Sequence, residues 1–193
     1  MTRRYRLGKR ADAAAATRRR IVEATLNLHD EQGIVRTSIR DVAGRAAVAP
    51  ATVLQHFPRM DDLIEACGEL SDAMAPMPTE AVLIGAGNRL ERVRIFALAL
   101  FAWWERLGPG WDHLQVDRRS LPPVDAWLLE VRRRHRALAA AALGGSSYAS
   151  DIELLTALTT NDAWRSMRDA GMNPRVAAGH VARLFPPNTE ALN

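Results

Sequence analysis

The sequence predicts an all-α protein with a three-helix N-terminal domain followed by a C-terminal helical bundle. Three observations predict it. Apolar residues recur at i, i+3, i+4 and i+7 along nearly the whole chain, the period of one helix face. Glycine and proline clusters stand between these stretches and punctuate them. No stretch shows strand-like alternation, and no internal repeat is visible.

Bulk properties narrow the class. With 193 residues, 48% hydrophobic and 25% charged, the composition is ordinary for a globular protein with a sizeable core. No apolar run is long enough to span a bilayer, so no membrane role is expected. The N-terminal arginines are not followed by the apolar block of a secretory signal. The single cysteine, Cys67, reads as small core filler and suits a cytoplasmic protein. Charge is uneven: residues 1–60 hold 12 Lys+Arg against 5 Asp+Glu, and residues 61–193 hold 14 against 17. A basic head on a mildly acidic body points the first third at a polyanion.

Residues 1–16 read as a basic flexible arm without hydrophobic periodicity. Helix begins near Thr17, with Ile21, Ala24, Thr25, Leu28 and His29 on one face, and Gly33 stops it. Ser38 caps a second helix reaching Ala46, and Asp41 three residues later completes a capping-box pattern. After a three-residue turn, a helix from Pro50 to Phe57 turns Val53 and Phe57 inward; proline suits a first helical turn, where its missing N–H has no partner to lose. A further helix runs from about Asp61 to Ala73 and is broken at Pro76 and Pro78. Residues 79–107 read as strongly helical and apolar on more than one face, hence central and buried. Beyond "GPG" at 108–110, a shorter piece spans Trp111 to Arg118. Helices over Pro123–Leu143, from Ser150 to about Ala170, and from Pro174 to Phe185 complete the chain.

The helices Ser38–Ala46 and Pro50–Phe57 with their short turn form a helix-turn-helix pattern. A helix that enters a major groove needs outward residues that are small or able to hydrogen-bond. Ala49, Pro50, Ala51, Thr52, Gln55 and His56 meet that need. Thr52 suits a thymine methyl or a phosphate, Gln55 an adenine, and His56 a phosphate. Arg40 on the supporting helix and Arg59 after the second helix are placed for the backbone.

"RRRIVEATLNLHDEQGIVRTSIRDVAGRAAVAPATVLQHFPRMDDLIEA", Arg18 to Ala66, resembles the N-terminal domain of TetR-family transcriptional repressors. The matching positions are Ile21, Ala24, Leu28, Gly33, Thr37, Asp41, Val42, Ala43, Ala46, Val48, Thr52, His56, Phe57 and Leu63. The resemblance implies a DNA-binding domain over residues 17–60, with Thr37, Ser38 and Leu54 added to the DNA-facing set. Five positions depart from the family pattern, among them Met60, which stands where the family has a lysine, with Arg59 adjacent. Leu54 stands where the family has a phosphate-contacting tyrosine, Ala47 replaces the turn glycine, Ala49 the capping serine, and His29 a phenylalanine. His29 is expected to be a satisfied core residue. Two backbone anchors being absent, Arg59 and the arm residues Arg3, Arg4, Arg6, Lys9 and Arg10 are expected to compensate.

For residues 61–193 the resemblance implies a domain for ligand binding and dimerisation. No catalytic grouping, phosphate-binding glycine loop or paired metal-binding histidines can be assembled, so neither an enzyme, a cofactor nor a metal site is expected. All five tryptophans follow residue 100, which favours an aromatic-lined cavity for an apolar or aromatic effector. The candidate ligand residues are Met74, Phe96, Trp103, Trp104, Trp111, His113 and Trp127, with Asp112, Asp117 and Met77 as weaker additions. The last two helices offer Ile152, Leu155, Thr159, Ala163, Met167, Val176, Val181 and Leu184 to a second copy, while Trp164 fits either that interface or the core. The expected activity is a homodimeric repressor released from a palindromic DNA operator by a small molecule. The alternative is a regulator of the same fold, an activator or protein-responsive, without a small-molecule ligand.

Overall fold

The computed structural model describes residues 2–144 and 148–186, with side chains from Lys9 onward. Among the described residues it is helical, without strands. The helices are α1 (Thr2–Gln32), α2 (Ile39–Arg45), α3 (Pro50–His56), α4 (Met60–Met74), α5 (Arg89–Leu107), α6 (Gly110–Asp117), α7 (Pro122–Leu143), α8 (Ala149–Leu158), α9 (Asn161–Asp169) and α10 (Pro174–Arg183).

Three boundaries differ from expectation. The backbone is helical from Thr2, so the basic segment 1–16 continues α1 instead of standing apart as an arm. The run Ala13–Ala16 has the highest intrinsic helix propensity, and the Thr17 hydroxyl donates back to the Ala13 carbonyl within the helix (2.9 Å). The stretch before α5 is a short 3-10 helix, Glu80–Leu83, not part of one long helix. The helix expected from Ser150 to Ala170 is two helices. Its start is capped by Tyr148, and it breaks at Thr159–Thr160, where the Thr160 side chain accepts the Ala163 N–H and caps α9.

The chain divides into two compact units, Met1–Ala75 with Gly108–Asp125, and Pro76–Leu107 with Ala126–Asn193. Helices α4 and α6 belong to the first unit. In that unit α1 packs on α2, α4 and α6, and α2 on α3. Its core gathers Ile21, Val22, Leu28, Val42, Val53, Phe57, Leu63 and Cys67. Burial also pushes the Cys67 thiol up to about 12, so it stays a neutral thiol.

In the second unit α5 packs on α10 and α9. Val93, Phe96, Ala97, Leu100, Phe101, Trp103 and Trp104 are all buried, which fits a helix apolar on more than one face. Trp164 of α9 settles in this core: its ring stacks on Phe101 at 4.9 Å between centroids, and its indole N–H donates to Glu105 (2.7 Å). None of the helices among the described residues is long and apolar enough to cross a membrane.

Candidate nucleic-acid interface

The helix-turn-helix is built by short-range chemistry. Ser38 Oγ accepts the Asp41 N–H (3.2 Å), and Asp41 Oδ2 accepts the Ser38 N–H (3.0 Å), closing a capping box. Hydrogen bonds from the Ser38 side chain, then its backbone, hold the Asp41 carboxyl below the usual range. The turn follows at Ala47, whose φ of 52° is the left-handed conformation that glycine adopts without strain. Val48 N donates to the Ala43 carbonyl (3.0 Å), which locks the turn. Ala49 caps α3 with no side-chain hydrogen bond, and Pro50 takes its first turn.

Two side chains fix the roll of α3. Val53 is fully buried, Phe57 nearly so, and the Arg18 guanidinium lies 4.7 Å from the Phe57 ring centroid. With that face anchored, Ala49, Pro50, Ala51, Leu54 and Gln55 are exposed, and Thr52 and His56 are half-buried. Ser38, Arg40 and Arg59 are exposed as well. These residues share one module.

Thr37 is different. It is buried, and its hydroxyl donates to the Gly33 carbonyl (2.7 Å), so it shapes the loop before α2. Arg59 is paired with Asp61 through one guanidinium nitrogen (2.7 Å). Arg45 is held by both oxygens of Glu31 at 2.8 and 2.7 Å. The side chains of Arg3, Arg4 and Arg6 lie outside the described residues.

Asp117, a ligand-orienting candidate by sequence, has a different role. It is instead a buried acceptor for the loop ahead of α2, taking the Ile34 N–H (2.6 Å) and the Val35 N–H (3.3 Å). A Cβ at Gly33 would stand 3.0 Å from its Oδ2, which, with a φ of +88°, explains the glycine. Gly110 is equally constrained, since a Cβ there would overlap the Asp30 carboxylate. Burial raises the Asp30 carboxyl, against an opposing pull from His113. His29 is a core residue, as expected, but not a satisfied one: its Nε2 has no hydrogen-bond partner among the described residues.

The candidate ligand residues fall into both units. Phe96, Trp103 and Trp104 are core residues of the second unit, and Trp127 there is half-buried. The Trp104 indole donates to the Thr159 carbonyl (2.9 Å), at the end of α8. Met77 is buried in the same unit. In the first unit Trp111 and His113 are half-buried, Asp112 is exposed, and Met74 is 68% exposed. Of the candidate dimer residues, Leu155, Thr159 and Val181 are buried within the chain. Ile152, Ala163 and Met167 are half-buried, and Val176 and Leu184 are exposed. A helix buried on one side repeats apolar residues toward its own core as well as toward its open face.

Among the described residues no group of three His, Cys, Asp or Glu side chains is placed to hold a metal ion. Residues 21–67 match the family model of the bacterial regulatory proteins of the tetR family. The fold is similar to that of SCO7518 from Streptomyces coelicolor A3(2), described as a transcriptional regulator, at 24% identity and a TM-score of 0.62, covering 88% of this chain and 98% of that one. It is also similar to a TetR-like transcriptional regulator from Rhodococcus sp. RHA1 (16% identity, TM-score 0.66, 89% and 94% covered). A third likeness is to the multidrug binding protein EbrR, solved with imidazole (21% identity, TM-score 0.60, 89% and 91% covered). At these identities the likeness is one of fold. No curated protein matches the chain in sequence.

Proposed function

From the premise that this chain carries the DNA-binding module of the TetR family in residues 21–67, we propose that it is a homodimeric transcriptional repressor of a palindromic operator, released by a small-molecule effector. The observation that carries the reading is the outer face of α3. Its inward residues Val53 and Phe57 are locked in the core, and Ala51, Leu54 and Gln55 stand exposed on a helix led by a short turn. One such helix spans only a few base pairs. Two on a twofold axis read two half-sites about 34–36 Å apart, which motivates the dimer. Val176 and Leu184, both exposed and apolar on and beside α10, support a surface for the second copy.

Release requires an effector that binds one conformation of the dimer better than the other. EbrR, a protein of this fold, is described as multidrug-binding, which supports a small-molecule effector. The second reading, a regulator without such a ligand, is favoured by one observation: Phe96, Trp103 and Trp104 are packed in the core of their unit.

Selection of bound duplexes from a random DNA pool, followed by gel shifts with apolar and aromatic compounds, tests the proposal. An enriched palindrome, bound by a dimer and released by a compound that binds the protein, is expected. Enrichment of an asymmetric site bound by a monomer contradicts the dimer. Compounds that bind tightly without changing DNA affinity contradict the release.

A further inference from the structure

We infer that α3 reads thymine-bearing base pairs by apolar contact, with Leu54 as the specificity-determining side chain, so that the centre of each half-site is rich in T·A pairs and not in guanine. This rests on the reading of α3 as the DNA-reading helix.

The outer face of α3 is unusual in its chemistry. Leu54 is 48% exposed, with Pro50 and Ala51 one turn before it on the same side. Together they make a continuous apolar strip on a surface meant for a polyanion. A lone exposed leucine is ordinary, but this one lies at the middle of the helix that must enter the groove. The apolar group that a base pair offers in the major groove is the thymine C5 methyl.

Charge points the same way. Guanine is read chiefly by arginine or lysine, paired with O6 and N7. The α3 sequence, PATVLQH, holds neither. Arg45 and Arg59, which flank it in sequence, are engaged by carboxylates, Arg45 by both oxygens of Glu31 and Arg59 by Asp61, and the exposed Arg40 belongs to the supporting helix α2 and not to α3. Beside Leu54, the exposed Gln55 carries the amide that pairs with adenine N6 and N7. Methyl contact and amide pairing both favour T·A pairs.

The test uses the full chain. Duplexes are selected from a random pool, and each thymine of the enriched half-site is then replaced by deoxyuridine, which lacks only the methyl. Loss of one contacted methyl is expected to weaken wild-type binding about fourfold. Leu54→Ala, at an exposed position and checked for an unchanged thermal midpoint, is expected to bind the thymine duplex more weakly. It is also expected to be indifferent to deoxyuridine at that position. Half-sites centred on guanine overturn the inference, as does a wild type indifferent to deoxyuridine at every thymine. Equal deoxyuridine effects in wild type and Leu54→Ala overturn the role of Leu54. If no sequence is enriched at all, the premise of a DNA-reading α3 falls, and the inference with it; enrichment of any sequence keeps the premise and leaves these outcomes to decide.

Discussion

The first unit buries His29 and the second buries His135, and the two solve the same problem differently. Burial pulls both imidazoles down to about 4. His135 Nε2 sits 2.9 Å from Thr159 Oγ1, whose own hydroxyl donates to the Leu155 carbonyl (2.7 Å). The ring must therefore carry its proton on Nε2 and donate it. Phe96 and Trp104 stand around it, with centroids at 5.9 and 6.3 Å. His29 Nε2 meets no partner among the described residues, at a place where the family pattern has phenylalanine. Asp117 draws its pKa upward, but less than burial lowers it. Desolvation alone thus depresses both histidines, whereas only one is integrated by hydrogen bonding. The difference sets what each replacement should do.

The largest expected effect is common to both. An unfolded histidine titrates near 6.5, so between pH 6.5 and about 4 the unfolded chain binds protons that the fold refuses. Stability is then full above pH 6.5 and is lost as pH falls toward 4, by up to about 3 kcal/mol for each histidine. Asp30 opposes this, because its raised carboxyl takes up a proton in the fold more readily than in the unfolded chain. Urea midpoints at pH 7.5 and 4.5 check the net sign, and a midpoint unchanged between them would contradict it.

Replacing each histidine by phenylalanine separates the two regions. His29→Phe removes a buried, unpaired nitrogen and is expected to stabilise the fold at pH 7.5 by about 1–3 kcal/mol. His135→Phe loses a buried hydrogen bond and is expected to destabilise by about 1–2 kcal/mol. Both should flatten the acid dependence. Opposite signs at pH 7.5 in denaturant unfolding would confirm the contrast, and equal signs would remove it.

A third replacement sharpens the role of the first unit. Asp117→Ala leaves the Ile34 and Val35 N–H groups without their acceptor. A loss of about 1–3 kcal/mol is expected in thermal unfolding. No loss would mean that water serves the loop as well. The smallest effect belongs to the turn: Ala47→Gly relieves the positive φ and is expected to raise stability by about 1 kcal/mol. An unchanged or lower thermal midpoint would show that the turn carries no such strain.

How much of this was legible depends on the range of the interactions. The capping box of Ser38 and Asp41, the stop at Gly33 and the start at Pro50 are written within a few residues, and the helix-turn-helix emerged at those positions. The outward set on α3 followed from the burial of Val53 and Phe57 at i and i+4. Thr37 looked available because its acceptor is the Gly33 carbonyl, which no side-chain pattern reveals. The role of Asp117 was invisible for the same reason, since its partners lie more than eighty residues earlier. The break between α8 and α9 was missed because the apolar stripe runs on through it. The Thr160 cap that announces α9 was present but unread, and the Trp104 indole that satisfies the α8 end comes from far along the chain.

Reading of base edges by the outer face of α3 is tested most directly by one binding measurement. The wild type and the double variant Leu54→Ala, Gln55→Ala are titrated against a selected duplex and a scrambled one at a single salt concentration. The wild type should prefer the selected duplex by roughly a thousandfold or more. The double variant should lose most of that preference while binding the scrambled duplex as the wild type does, because backbone contacts are untouched. A double variant that discriminates as well as the wild type would contradict the role assigned to α3.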